Sequence, residues 1–409
     1  MKFIARLVAI GLVLLLPAAP AQASTPDSTG ITVYLLTMGP GREIWERFGH
    51  NAIWIQDRND GSSVAYNYGM FDFAQKGFLL HFVQGRMWYW MAGFDAAPMI
   101  DFYRRSNRTV WAAELNLTPD QKRQLQSFLL WNSRPENKYY FYDYYRDNCS
   151  TRVRDALDRV LGGTIRRQTE SLPAGTTYRF ETLRLTAAEP LIYTGLTAAL
   201  GESTDRPLNA WQEMFLPLAF HRWIKQVKVT EPDGSVVPLV RSEQVLYTST
   251  DAPPPAAPPH WVPWYLLIGV VIGGGLLLLG RSAARSMRAR TAFAIAGGTW
   301  ALVAAIVGIV LTGLWGLTDH VATYHNENLF LFNLLAVPLL VLVPRVTGGS
   351  PRVARWALIT AVSVAAVALV GLLVKLLPGF DQKNATLLAL AIPAHLGLAG
   401  GVRAIQRTR

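Results

Sequence analysis

The segment Thr248-Ser-Thr-Asp-Ala-Pro-Pro-Pro-Ala-Ala-Pro-Pro-His260 divides this chain of 409 residues into two parts of different composition. A proline-rich segment is extended and semi-rigid, so it predicts a spacer rather than a packed element. Polar and apolar residues alternate before it, whereas long apolar runs follow it. The sequence therefore predicts an N-terminal domain of residues 24–250, a linker of residues 251–260 and membrane helices within residues 261–402.

The C-terminal part contains five apolar runs, each long enough to cross a bilayer, and the third is the shortest. They lie near residues 261–280, 291–317, 328–344, 356–377 and 385–402. Arginines cluster after the first, third and fifth runs, and positive loops stay in the cytoplasm. The loops 318–327 and 378–384 are therefore predicted to face outward with the N-terminal domain, and residues 403–409 to form a cytoplasmic tail. The net charge of +11 is thus explained by membrane orientation, and no nucleic-acid partner is predicted.

Residues 1–23 have the pattern of a secretory signal peptide, although an uncleaved anchor is the alternative. Lys2 and Arg6 precede the apolar stretch 8–16, and Ala21-Gln22-Ala23 resembles a cleavage site. Export implies an oxidising compartment. Cys149 is the only cysteine and cannot form an internal disulfide, so it is either a reactive thiol or a small buried apolar residue.

The N-terminal domain is predicted to be α+β, with helices packed beside a small antiparallel sheet. Strand patterns occupy residues 31–37, 50–56, 64–68 and 108–117, and Arg58-Asn-Asp-Gly61 is typical of a hairpin turn. Thr118-Pro119-Asp120-Gln121 predicts a helix start, and a second helix is predicted to begin at Cys149.

Cys149 at a helix N-terminus is the candidate nucleophile, because the helix dipole is expected to lower the pKa of a thiol placed there. His50, at the start of a predicted strand, is the candidate base. Asn67 is the candidate for orienting the imidazole, and Asn148 either donates to an oxyanion or caps the helix. His81 and His221 are rival bases, and Tyr66 and Asp72 compete with Asn67.

Two further segments have open interpretations. In the outward loop, Asp319, His320, Asn326 and Asn328 form either a substrate-positioning site at the membrane surface or a polar interfacial loop. His320 and His325 lack helical metal-ligand spacing, and no metal or cofactor is predicted. The apolar stretch 78–90 either dips into lipid or forms a core helix.

Four motifs in order resemble the Lnb-type lipoprotein N-acyltransferase family. They are Phe48-Gly49-His50-Asn51-Ala52, Tyr66-Asn67-Tyr68-Gly69-Met70-Phe71-Asp72-Phe73, Asp147-Asn148-Cys149-Ser150-Thr151-Arg152 and the segment from Thr318 to Leu329. The resemblance implies a permuted papain-like (NlpC-type) periplasmic domain, distantly similar to lecithin:retinol acyltransferases, joined to about five membrane spans. Those relatives place a second histidine on the strand after the first, where this chain offers Asn67 or Tyr66.

The resemblance also implies a reaction at the inner membrane, on its periplasmic side. A phospholipid acyl chain would pass through a Cys149 thioester to the α-amine of a lipoprotein N-terminal cysteine. Two alternatives remain open from the sequence. One is a thiol hydrolase, either a cell-wall peptidase or a phospholipase, that uses the same residues. The other is a membrane-anchored binding module in which Cys149 is structural.

Overall fold

The structure, a computed structural model, describes residues 29–407 and consists of a sheet domain followed by a helical region. The predicted signal peptide, residues 1–23, lies outside the described residues. Residues 403–407 of the predicted cytoplasmic tail continue the last helix.

An antiparallel seven-stranded sheet forms the centre of the N-terminal domain. Its first six strands are β1 (Ile31–Met38), β2 (His50–Asp57), β3 (Ser63–Met70), β4 (Trp88–Asp95), β5 (Val110–Leu115) and β6 (Tyr139–Phe141). A separate hairpin contains β7 (Lys228–Thr230) and β8 (Val236–Pro238), and β9 (Val240–Tyr247) completes the large sheet. The strand order is β6-β4-β3-β2-β1-β5-β9, so the strand that carries His50 is central.

In the described part of the N-terminal domain, nine α-helices accompany the sheet. They are α1 (Phe78–Gln84), α2 (Ala96–Arg105), α3 (Pro119–Asn132), α4 (Cys149–Val160), α5 (Thr164–Thr169), α6 (Tyr178–Leu185), α7 (Pro190–Ala199), α8 (Ala210–Glu213) and α9 (Pro217–Ile224). Helix α4 packs Val153, Ala156 and Leu157 into the main core. Helix α2 packs with Ala52 and Ala65 in a smaller cluster. Because strand side chains alternate between faces, neighbouring residues of β2 and β3 serve different clusters.

The predicted α+β class and both predicted helix starts are confirmed. Thr118 and Gln121 form a capping box at α3, and α4 begins at Cys149. The stretch 78–90 is not one continuous helix, because it divides into α1 and the first residues of β4. Gly85 makes the break with a φ of 73°, a left-handed conformation that glycine adopts without strain.

The helical region contains α10 (Val262–Ser282), α11 (Met287–Leu317), α12 (Leu339–Arg345), α13 (Pro351–Leu373) and α14 (Ala385–Arg407). Within residues 29–407, four helices are long and apolar enough to cross a membrane: α10, α11, α13 with its continuation to Leu376, and α14. The third predicted span is a broken pair, Glu327–Ala336 and Leu339–Gly348, bent by 59°. Asn328, Asn333 and Pro338 interrupt the apolar pattern there. The expectation of five spans is met only if this bent pair is one span.

Glycines allow α10 and α14 to approach closely. A Cβ built on Gly273 or Gly280 would collide with the backbone of α14 at Pro393 and Gly401. Small residues at such an interface let two membrane helices pack backbone to backbone.

A buried polar seam joins the sheet domain to the helical region. The Asn326 side-chain nitrogen donates to the carbonyls of Ala198 and Ala199 at 2.8 and 2.9 Å. That of Asn328 donates to the carbonyls of Thr197 and Ala198, both at 3.0 Å. The last carbonyls of a helix have no partner within it, so these two asparagines cap α7 from the other domain.

The second outward loop completes the seam. Gln382 exchanges hydrogen bonds with Glu327 and also donates to the Leu200 carbonyl at 3.1 Å. Lys375 forms an ion pair with Glu327. Arg179 pairs with Asp205 at 2.9 Å, and both side chains are buried. The 378–384 loop therefore contacts the sheet domain, as predicted for an outward loop.

The start of the 318–327 loop binds the C-terminal end of α1 through an ion pair and two hydrogen bonds. Arg86 forms an ion pair with Asp319 at 2.6 Å, and the Asp319 N–H donates to the Gln84 carbonyl at 2.8 Å. The His320 ring nitrogen bonds to the Phe82 carbonyl at 2.8 Å. Helix α1 is thus held at the boundary between the two domains.

The seam predicts a specific stability defect for Asn328→Leu. The change removes one of the two donors to the Thr197 and Ala198 carbonyls and takes away the oxygen that accepts the buried Asn384 side-chain nitrogen at 2.8 Å. An unsatisfied buried polar group costs about 1–3 kcal/mol. We expect a lower thermal midpoint in detergent and faster proteolysis within residues 251–260. His325→Asn is the matched control, because this exposed residue lies in the same loop and asparagine tolerates its φ of 52°. Equal midpoints for wild type and Asn328→Leu would contradict the capping role.

Candidate active site

Asn148 fixes the start of the helix that carries Cys149. Its side-chain oxygen accepts the N–H groups of Ser150 and Thr151 at 2.8 and 3.0 Å. Its side-chain nitrogen donates to the carbonyls of Tyr144 and Phe215 at 2.8 and 3.0 Å. Both amide protons are used, so the structure supports the helix-capping alternative for Asn148 and leaves this side chain without a donor for an oxyanion.

A buried polar contact fastens α4 to the start of β2. The Ser150 hydroxyl lies 2.9 Å from the Asn51 side-chain oxygen, and neither residue is exposed to solvent. The Asn51 side-chain nitrogen donates to Thr37 Oγ1 at 2.9 Å on β1. The Cys149 sulfur lies close enough to the backbone amides of Asn51 and Ser150 for both amides to lower its pKa. The thiol therefore lies against the residue that directly follows His50.

His50 forms a hydrogen bond with the predicted orienting residue. Its Nε2 lies 3.0 Å from Asn67 Oδ1. The Asn67 side-chain nitrogen donates to the Ala65 carbonyl at 2.9 Å, which turns the amide oxygen toward the imidazole. An oxygen acceptor requires a proton on Nε2, so Nδ1 carries the lone pair that can accept a proton.

Two residues that the sequence did not indicate support the imidazole. Tyr103 on α2 stacks on His50 with ring centroids 6.3 Å apart. The Arg108 guanidinium lies over the Tyr103 ring, 4.7 Å from its centroid. Arg108 is buried and pairs with Glu46 at 3.3 Å, while its Nη2 has no hydrogen-bond partner within the described residues. No sequence motif marks Tyr103 or Arg108, since neither lies near the histidine or the cysteine in the chain.

Burial determines the protonation states of His50 and Cys149. It lowers the pKa of His50 to about 4, although the Asn67 hydrogen bond raises this pKa and the Arg108 charge lowers it further. Burial raises the pKa of Cys149 to about 11, against the lowering effect of the Asn51 and Ser150 amides and of Arg108. The expectation of a lowered thiol pKa is therefore wrong, because desolvation outweighs the helix terminus. At neutral pH Cys149 is therefore a thiol and His50 a neutral imidazole.

Gly69 permits the close approach of Cys149 to the sheet. Its φ is 85°, and a Cβ built there would lie 3.3 Å from Cys149 Cβ and 3.8 Å from the Tyr142 ring. A side chain at this position would press on Cys149, which explains why the Tyr66–Phe73 motif has a glycine here.

The other candidate residues have different partners. His221 bonds to Glu243 at 2.7 Å, and His81 lies on α1 beside Gly77. Tyr66 belongs to the main core on the face opposite Asn67, and the Asp72 carboxylate accepts the Ala74 N–H at 2.8 Å. The four loop residues, Asp319, His320, Asn326 and Asn328, contact the sheet domain as described above. Within residues 29–407 no cluster of three or more metal-ligating side chains is present.

Family comparison identifies both parts of the chain. A family model of the Lnb N-terminal periplasmic domain matches residues 19–186, and a model of the Lnb transmembrane domain matches residues 262–395. The chain belongs to the Lnb family. It is therefore a membrane-anchored protein with a periplasmic domain, and the His50, Asn67 and Cys149 positions all lie within the periplasmic match. No curated protein and no solved structure matches this Lnb-family chain.

The pKa of Cys149 predicts an alkylation profile that distinguishes a neutral pair from an ion pair. The rate of iodoacetamide addition, followed by intact mass, is expected to rise about tenfold per pH unit from pH ~7 to pH ~9.5. The single cysteine makes the signal unambiguous. His50→Gln is expected to change the rate at neutral pH only slightly. A rate that is flat between pH ~5 and pH ~8 and collapses in His50→Gln would instead show a thiolate–imidazolium pair.

Gly69→Ala is predicted to disturb the thiol in addition to straining the backbone. An alanine at positive φ costs about 1–2 kcal/mol. Gly61→Ala is the matched control, because Gly61 has a φ of 75° but no described atom lies within 4 Å of the place its Cβ would take. We expect both variants to lose similar thermal stability, with altered Cys149 alkylation only in Gly69→Ala. Equal alkylation rates in the two variants would contradict the steric role.

Proposed function

We propose that this Lnb-family protein is a thiol acyltransferase that moves a phospholipid acyl chain through a Cys149 thioester to the α-amine of a lipoprotein N-terminal cysteine. The single observation that carries the proposal is that the imidazole fixed by Asn67 and the lone thiol at the start of α4 are brought to neighbouring residues of β2, His50 and Asn51. The order of these parts, with the histidine strand before the cysteine helix, supports a papain-like arrangement that is circularly permuted. We place the protein at the inner membrane.

In the first half-reaction His50 Nδ1 accepts the thiol proton as the sulfur attacks the ester carbonyl carbon. The carbon–oxygen bond of the ester breaks, and the imidazolium gives its proton to the departing lysophospholipid alkoxide. The backbone N–H of Cys149, at the start of α4, is the proposed donor to the oxyanion. The products of this step are the Cys149 thioester and a lysophospholipid.

In the second half-reaction the lipoprotein α-amine attacks the thioester carbonyl. The carbon–sulfur bond breaks, an amide forms, and the amine proton passes through His50 to the departing sulfur. Asn67 keeps the Nε2 proton in place, so that Nδ1 remains the base in both steps. This scheme needs no metal or cofactor.

The location of the site supports a membrane-held donor. Helix α1 and the seam hold the sheet domain against the outward loops of the helical region. Both proposed substrates are anchored in the membrane, so neither has to leave the bilayer for water. This consideration favours lipid acyl transfer over cleavage of a soluble cell-wall peptide.

The covalent step is tested by intact-mass analysis of the full chain after incubation with phospholipid vesicles. An acyl adduct on wild type and none on Cys149→Ala is the expected result. Addition of a diacylglyceryl-cysteine lipopeptide with a free α-amine should discharge the adduct to an N-acyl product, whereas the N-acetylated lipopeptide should not. Discharge to fatty acid at the same rate with either peptide would identify a hydrolase. Full activity in Cys149→Ala would overturn the covalent proposal.

Asn67→Ala is predicted to slow the acylation of Cys149 by about 10–100-fold, because the imidazole loses the partner that fixes its tautomer. Asn67→Asp retains an oxygen acceptor at this place and should recover part of the rate. Thermal midpoints of the two variants control for folding. An unchanged rate in Asn67→Ala would remove Asn67 from the site.

A further inference from the structure

A continuous series of contacts between aromatic rings connects the Cys149 site to the boundary between the sheet domain and the helical region. Tyr142, which lies beside Gly69 and Cys149, stacks on Tyr89 with centroids 4.2 Å apart. Tyr89 contacts Phe71 at 5.2 Å. From Phe71 the rings continue through Phe78 to Phe82, each pair about 6.2–6.3 Å apart.

A second branch leads from Tyr142 to the same end point. Tyr142 contacts Tyr144 with centroids 5.9 Å apart, and Tyr144 stacks on His320 at 6.2 Å. Phe82 also meets His320, at 6.3 Å. His320 follows the end of α11 by three residues, so both branches reach the outward loop of the helical region. We call these rings the aromatic track: Tyr142, Tyr89, Phe71, Phe78, Phe82 and Tyr144.

The membrane end of the track has an exposed apolar rim. Leu80, Phe82 and Val83 on α1 are 60%, 42% and 54% exposed, and Phe73 is 63% exposed. Trp45 is 57% exposed and contacts the Phe73 ring at 5.9 Å. Clustered exposed apolar side chains mark an interaction surface. This rim adjoins α1, which the ion pair of Arg86 with Asp319 holds to the helical region.

We propose that the aromatic track binds the hydrocarbon chain of a membrane lipid and that the rim on α1 contacts the outer leaflet from which this lipid comes. The inference rests on the proposed function, since it supplies the path by which an acyl ester reaches Cys149. Continuity with the helical region is the reason for choosing a lipid chain over a second copy of the protein. A chain that follows the rings would keep its tail in apolar surroundings while its carbonyl lies at the sulfur.

The aromatic track predicts that substitutions in it impair the use of long acyl chains without impairing the reaction at Cys149. Phe73→Gln/Phe82→Gln changes two exposed rings, so the fold is expected to persist. Formation of the Cys149 adduct from palmitoyl phospholipid should fall on the order of tenfold or more, while adduct formation from a soluble butyryl ester should not change. Trp131→Gln is the matched control, because Trp131 is 48% exposed on α3 and Phe128 is the one aromatic ring it stacks on within the described part of the chain.

The palmitoyl phospholipid and the butyryl ester together distinguish a failure of the proposed function from a failure of the aromatic-track proposal. If neither donor acylates wild type, the proposed function fails. If both acylate wild type and the double variant loses neither, or loses both equally, the aromatic track is not an acyl-chain site.

Photolabelling supplies a readout that does not need catalysis. Full-length Cys149→Ala protein is placed in phosphatidylethanolamine/phosphatidylglycerol vesicles that contain a phospholipid with a diazirine on its acyl chain. Label in residues 71–82 or 142–144, reduced by Phe73→Gln/Phe82→Gln, is the expected result. Label confined to α10–α14, or label in the sheet domain that the double variant does not reduce, would overturn the proposal.

Discussion

The capping of α7 by Asn326 and Asn328 is the interaction on which the arrangement of the whole molecule depends. Carbonyls at a helix end need donors, and here they come from a loop that joins two membrane segments. Because each asparagine bonds two carbonyls, the contact fixes orientation as well as distance. The sheet domain is therefore held over the outward loops, and α1 with its apolar rim is brought to the same boundary by Asp319 and His320.

The sequence predicted the parts of the site that rest on local patterns. Residue order and capping chemistry placed Cys149 at the start of α4, and the predicted hairpin put Asn67 or a neighbour within reach of His50, where the structure has Asn67. The role of the loop asparagines could not be predicted, because polar residues at a membrane surface suit a substrate site and a docking seam equally well. Only their partners, the carbonyls at the end of α7, distinguish the two.

The third membrane segment and the stretch 78–90 show a different limit of prediction from sequence. Apolar composition and length predicted one continuous element in each case. In the first, Asn328 turns toward the seam and the pair of helices bends by 59°. In the second, Gly85 ends α1 and the chain continues as a strand beside β3. Hydrophobicity determines which residues avoid water, but tertiary partners determine where an apolar run breaks.

The neutral state of Cys149 and His50 follows from the burial of both side chains. Two separated charges in apolar surroundings would lose their hydration and recover it only with well-placed partners. Three backbone amides, of Asn51, Ser150 and Cys149 itself, and the buried Arg108 favour the thiolate, but these do not offset the loss: the pKa of Cys149 rises to about 11. A thiol and a neutral imidazole avoid this cost, and in the proposed reaction proton transfer and attack would occur together when an acyl ester arrives. The same low polarity that raises the thiol pKa would favour a hydrocarbon chain along the aromatic track, so the proposed chemistry and the proposed substrate class would both follow from one environment.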